Sequence, residues 1–168
     1  AVLWACVALF AVRPAFALEA VTLQLKWSHA FQFAGYYTAV EKGFYREAGL
    51  DVSLLEAQTS TNVMASVREG RAQYGVGTSS LLLDRAAGHP VVVLAVVFQH
   101  SPQVLLVRQH KHEHGTQGIH DLLNKRVMIE PHADELLAYL KHEGVRPDRL
   151  DQVPHTFNPQ DLIDGKVD

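Results

Sequence analysis

Leu23 and Leu25 alternate with Gln24 and Lys26, and this period of two predicts a strand over about 21–26. Trp27 to Gln32 breaks the period and sets an indole, an imidazole and an amide at the strand's carboxyl end. A helix is predicted over 33–42, closed by Gly43 in the position of a C′ glycine. Phe44 and Tyr45 follow and are expected to pack back on it. Leu50, Val52 and Leu54 alternate again and predict a second strand over 50–55. Val63 and Val67, four apart, give the buried stripe of a short helix over 63–69, with Asn62, Thr61 or Ser60 as its cap. A strand over 72–76 and a helix over 81–87 come next. The apolar run 91–98 then predicts a strand buried on both faces. Strand and helix alternate throughout, so the pattern predicts a right-handed parallel α/β unit.

Pro102 interrupts the pattern. Beyond it the chain predicts a strand at 104–107, a polar loop, a helical turn at 121–123 and a strand at 126–129. A helix over 133–143, a strand opening at 152–153 and a helix at 161–163 complete the pattern. The heptapeptide Val67-Arg-Glu-Gly-Arg-Ala-Gln73 matches Leu162-Ile-Asp-Gly-Lys-Val-Asp168 in residue type at almost every position. The first copy leads from a helix through a glycine into a strand. The repeat therefore predicts two αβ lobes, the second cut off inside its first units.

Composition changes this picture little. The 168 residues are 48% hydrophobic and 20% charged, with a formal net charge of −3. That is ordinary for a globular core of good size. Mild acidity argues against a nucleic-acid partner, which calls for a basic face. The N-terminus differs from the rest. Val2 to Val12 is almost wholly apolar and Ala15-Phe16-Ala17 is a small-x-small pattern. This predicts a signal peptide over 1–17, lacking its first residues, cleaved after Ala17, and hence a periplasmic protein. The lone Cys6 lies inside the apolar run, so the mature chain would rest on its core and not on disulfides.

The candidate chemistry gathers at strand ends, where open α/β sheets hold ligands. Trp27 and Tyr36 are candidates for an aromatic wall against a planar heterocycle, with Tyr37 assigned to the core. His29 and Gln32 are candidates to hydrogen-bond a ring or carboxylate. Gly75-Val-Gly77-Thr78-Ser79-Ser80 offers close backbone approach and free N–H groups for an anion, or else a plain helix cap. Gln58 and His100 end the second and fourth strands, and Glu130 and His132 end the first strand of the other lobe. His110, His112 and His114 alternate and form a weak metal candidate, against the plainer reading of a solvated histidine-rich loop. No catalytic residue, resident metal or cofactor is assigned.

Lys26-Trp27, Gln32-Phe-Ala-Gly-Tyr-Tyr37, Glu41-Lys-Gly-Phe-Tyr45 and Glu47-Ala-Gly-Leu-Asp51 resemble the periplasmic substrate-binding proteins for thiamine-pyrimidine precursors and related small organic ligands. The resemblance runs from about 21 to 168. It implies a type 2 periplasmic-binding fold: a first lobe over 18–107, a hinge region over 108–121, and the start of a second, truncated lobe over 122–168. It implies capture of a thiamine pyrimidine precursor by hinge closure and delivery to an ABC importer permease. The Phe31-to-Tyr37 stretch is also similar to sensing domains fused to membrane histidine kinases and diguanylate cyclases. The family further includes thiamine pyrimidine synthases, whose chemistry uses pyridoxal phosphate on a lysine, a reacting histidine and iron. The lysine position falls near Gly77 and the histidine position near Leu81, and neither residue is present. The chain is accordingly expected to bind and not to catalyse.

Overall fold

Strand β1 (Glu19–Gln24) is the axis of the first sheet, with β2 (Leu50–Leu55) on one side and β3 (Tyr74–Gly75) on the other. The computed structural model describes residues 17–58, 60–108 and 118–168. The segment up to residue 16, where a signal peptide is expected, Cys6 within it, and His110, His112 and His114 lie outside the described residues. The described chain divides into two compact units, one ending at Val76 and the other beginning at Gly77.

In the first unit β1 pairs in parallel with β2 from Glu19↔Leu50 to Gln24↔Leu55, and with β3 at Leu23↔Tyr74 and Gln24↔Gly75. Parallel pairing requires a crossover between strands, supplied here by helices. The β1-to-β2 crossover holds a 3₁₀ turn (Phe31–Phe33), α1 (Ala34–Glu41) and α2 (Phe44–Glu47). Gly43, at φ +78°, turns the chain between the two helices. Phe44 and Tyr45 therefore open a helix of their own. The crossover to β3 holds α3 (Val63–Arg68), whose first turn is capped by Asn62 Oδ1 accepting the Ala65 N–H at 2.9 Å. Gly75 lets α3 lie close on β3: a Cβ there would fall 2.6 Å from Val63 Cγ1 and 3.0 Å from Val67 Cγ2. Its missing side chain leaves room for helix packing.

The second unit contains α4 (Leu81–Ala86), β4 (Arg126–Met128), α5 (Asp134–His142), β5 (Asp151–Val153) and α6 (Gln160–Ile163). Strands β4 and β5 pair in parallel, from Arg126↔Asp151 to Met128↔Val153. Its core is Leu122, Val127, Leu140, Val145 and Leu150, with Leu105, Ile119, Ile129 and Leu136 packed around it. The expected strand over 91–98 does not form. Val91 is buried, but Val92 to Phe98 are exposed and join neither sheet. A strand needs a neighbour for its N–H and C=O groups, and this run has no ladder partner among the described residues. Residues 104–107 likewise form no strand, although Leu105 reaches the core while Val104 and Leu106 stay exposed.

The heptapeptide repeat is structural. Gly70 and Gly165 both take left-handed φ, +74° and +71°. Ser66 and Asp161 are buried just before it, and Ala72 and Val167 are buried just after. Arg71 Nη2 donates to Ser66 Oγ at 3.4 Å, and Lys166 Nζ donates to Asp161 Oδ1 at 2.7 Å. The Gln73 N–H donates to Thr22 O at 3.1 Å while Gln73 Oε1 accepts the Thr22 N–H at 2.8 Å. The Asp168 N–H donates to Arg126 O at 3.1 Å while Asp168 Oδ2 accepts the Arg126 N–H at 3.0 Å. One device thus docks a helix exit onto a strand in each unit, β1 in the first and β4 in the second.

Candidate functional site

In the first unit the candidate residues cluster where β1 and β2 end. Pairing continues past the strands through the Leu25 N–H to Leu55 O at 2.8 Å, and the Ala57 N–H holds Trp27 O at 3.1 Å. Gln24 was expected on a polar face, but it is buried. Its Nε2 lies 3.0–3.3 Å from the carbonyls of Leu25, Leu55 and Glu56 and supplies donors to them where the strands part. This clamp fixes the loop carrying Trp27, which is half-buried.

His29 is exposed and held from two directions. Its main-chain N–H donates to Glu56 Oε1 at 2.8 Å, and its Nε2 stands 3.9 Å from Glu56 Oε2. Its Nδ1 is hydrogen-bonded to the Tyr37 hydroxyl, and the two rings meet edge-on at 5.8 Å. Tyr37 therefore belongs to this polar cluster and not to the core alone. Tyr36 instead leans on buried Phe33, with ring centroids 6.4 Å apart. Burial, with Tyr36 as a second cause, raises the pKa of the Tyr45 phenol above its ordinary value. Gln32 is exposed in the 3₁₀ turn. Gln58 is exposed too, and its main chain closes a turn with Thr61.

The second unit assembles a different group. Ser79 Oγ donates to Glu135 Oε2 at 2.7 Å, and Ser101 Oγ bonds the other oxygen of the same carboxylate. Ser80 Oγ lies 2.9 Å from His132 O and 2.5 Å from Asp134 Oδ2. The expectation of an anion cradle or a serine cap at α4 is corrected here. Ser80 is already helical, at φ −54° and ψ −20°, and makes no side-chain cap. The hydroxyls turn to the first turn of α5, where Asp134 and Glu135 complement the helix dipole. An incoming anion would meet two carboxylates, so this group suits hydrogen-bond donors. Thr78 Oγ1 accepts the Ser80 N–H at 3.3 Å. Gly77 precedes it in the loop, and His100 is exposed on the turn before Ser101.

His132 takes φ +62° at the turn from β4 into α5, and Glu130 is half-buried just before it. Glu130 also acts on His155, beyond the end of β5. Burial lowers the pKa of this imidazole, and Glu130 partly offsets the shift. His155 packs edge-on against Phe157, with centroids 4.4 Å apart. Sequence reading missed Glu56, Asp134, Glu135 and His155 as site residues. Their signal was position alone: Glu56 and His155 follow predicted strands, and Asp134-Glu135 opens a predicted helix. Among the described residues no group of three or more His, Cys, Asp or Glu is placed to hold a metal ion.

The family's pyridoxal phosphate does not fit the positions aligned with it. Gly77 has no side-chain amine to form an imine, and Leu81 opens α4 with an apolar side chain where an imidazole would be needed.

The chain is 25% identical over 157 residues to the 4-amino-5-hydroxymethyl-2-methylpyrimidine phosphate synthase THI13 of Saccharomyces cerevisiae, covering 89% of this chain and 45% of that protein. The synthases THI12 and THI5 of the same yeast match with the same identity and coverage. The chain thus spans about half the length of the curated relatives it matches. These relatives are named as enzymes, which overturns the expectation from sequence that catalysis is foreign to this chain. A family profile matches residues 30–168, well over half of the chain, and its description identifies the group: the chain belongs to the NMT1/THI5-like family.

Proposed function

We propose that this chain captures a pyrimidine of the 4-amino-5-hydroxymethyl-2-methyl type at the carboxyl ends of its parallel strands, as an exported solute-binding protein serving an ABC importer. The observation that carries this reading is the group at the ends of β1 and β2. Trp27 supplies an indole two positions before His29, which joins Tyr37 and Glu56 in a hydrogen-bonding group. An aminopyrimidine needs both, a face to stack on and partners for its N–H and ring nitrogens. The family and the yeast synthases supply the ligand class. The apolar stretch from Val2 and the Ala15-Phe16-Ala17 pattern support export. A two-lobe periplasmic-binding organisation is supported by the strand-docking device that recurs in each unit.

The test is titration of the chain with 4-amino-5-hydroxymethyl-2-methylpyrimidine and with its phosphate, followed by tryptophan fluorescence and thermal melting. A saturable fluorescence change with a raised melting temperature is expected, and Trp27→Phe should abolish the fluorescence change. Melting that no pyrimidine moves would overturn the reading. The names of the relatives favour a second reading, synthesis of the pyrimidine phosphate, and its check is mass-spectrometric detection of that product. A sensor role with a fused membrane signalling module would appear as ligand-dependent output from the full reading frame.

A further inference from the structure

His29 stands between two partners of opposite chemical demand. An ionised carboxylate only accepts hydrogen bonds, whereas a phenol both donates and accepts. Glu56 is fixed by accepting the His29 main-chain N–H at 2.8 Å, and its other oxygen faces His29 Nε2 at 3.9 Å. That negative charge favours the neutral tautomer with its proton on Nε2. Nδ1 then carries a lone pair, and the Tyr37 hydroxyl bonded to it must be the donor. A phenol oxygen whose one hydrogen is committed has only lone pairs to offer anything else.

We propose that the Glu56–His29–Tyr37 row makes Tyr37 the specificity-determining residue at the carboxyl ends of β1 and β2, an acceptor that selects a ligand amino group over a carbonyl at the same ring position. The ligand part of this assignment rests on the pyrimidine reading above. The exocyclic amine of a 4-aminopyrimidine donates to the phenol oxygen, whereas the oxygen of a 4-oxopyrimidine meets lone pair with lone pair. Sites built to hydrogen-bond a group discriminate strongly against analogues that cannot make the bond.

Two measurements on the whole chain test this. Long-range ¹⁵N NMR at pH 8, with His29 assigned through His29→Gln, reads the tautomer without any ligand. The Nε2–H form is expected, and Glu56→Gln, which turns an amide donor toward Nε2, should move the proton to Nδ1. Competition between 4-amino-5-hydroxymethyl-2-methylpyrimidine and its 4-oxo analogue reads the preference. The amino compound should bind about 10-fold tighter at pH 8, the factor set by one hydrogen bond of ordinary strength. Tyr37→Phe should bring the two to parity with melting unchanged, and Glu56→Gln should favour the oxo compound. An Nδ1–H tautomer in the parent chain overturns the proposal, and so does an amino-to-oxo ratio that Tyr37→Phe leaves unchanged. If neither compound binds, the pyrimidine reading and the ligand assignment fall together. The tautomer spectrum then still decides the donor state of Tyr37.

Discussion

Replacing Gly70 by alanine isolates the turn that leads α3 toward β3. Gly70 sits at φ +74°, and a Cβ added there would meet nothing within 4 Å. The cost is therefore conformational alone, about 1–2 kcal/mol for an L-residue in the left-handed region. At a glycine with negative φ the same change would stabilise by about 0.4–1 kcal/mol, through lost freedom of the unfolded chain. The sign of the effect thus tests the geometry. Gly165, at φ +71°, carries the same backbone cost plus a contact, since its Cβ would lie 3.1 Å from the Arg108 guanidinium, which donates to Ile163 O. Gly165→Ala should cost at least as much, and the excess should shrink in an Arg108→Ala background because the two sites touch. The assay is urea unfolding followed by circular dichroism. With a slope of about 1–3 kcal/mol per molar, the midpoint for Gly70→Ala should fall by roughly 0.3–2 M. An unchanged or raised midpoint refutes the shared left-handed turn.

Leu140 is fully buried in the core of the second unit, so Leu140→Ala should cost about 2–5 kcal/mol in the same assay. Asn62→Ala removes the cap on α3 and should cost about 1 kcal/mol. Asp168 is held down to about 2 by hydrogen bonds from the Arg126 side chain and N–H. A carboxyl depressed in the folded state stabilises above its unfolded value and loses that contribution as pH falls. Acid melting should therefore lose stability from about 3.8 toward about 2, and Asp168→Asn should flatten that part of the curve.

The period of two in 50–55 was legible because Leu50, Val52 and Leu54 do share the less exposed face of β2. Gly43 and Gly70 read correctly as stops because only left-handed turns follow those helices. The run 91–98 misled because apolar composition reports a demand for burial and not the neighbour that would meet it. Gln24 misled in the opposite way, since a buried amide at a strand end looks polar in sequence while serving three carbonyls. The site was only half legible for a related reason. Trp27 and His29 stand out by type at the end of a strand. Glu56 matters through the ring nitrogen it faces across 27 positions of chain, and Ser79 and Ser101 through a carboxylate on α5. No local pattern encodes such pairings.

The clamp of Gln73 on Thr22 and that of Asp168 on Arg126 close rings of chain whose ends lie 51 and 42 residues apart. The loops at 26–33 and 56–62 lie inside the first ring, and those at 129–133 and 154–159 inside the second. Lengthening a flexible loop raises the entropy of closing such a ring only logarithmically, by about 0.6 kcal/mol per doubling. Each sheet can therefore keep its register while the loops at its carboxyl ends change length and residue type. Selection for a new ligand can act on those loops at small cost to the frame, which gives a chain of this design room to diverge in what it holds without refounding how it folds.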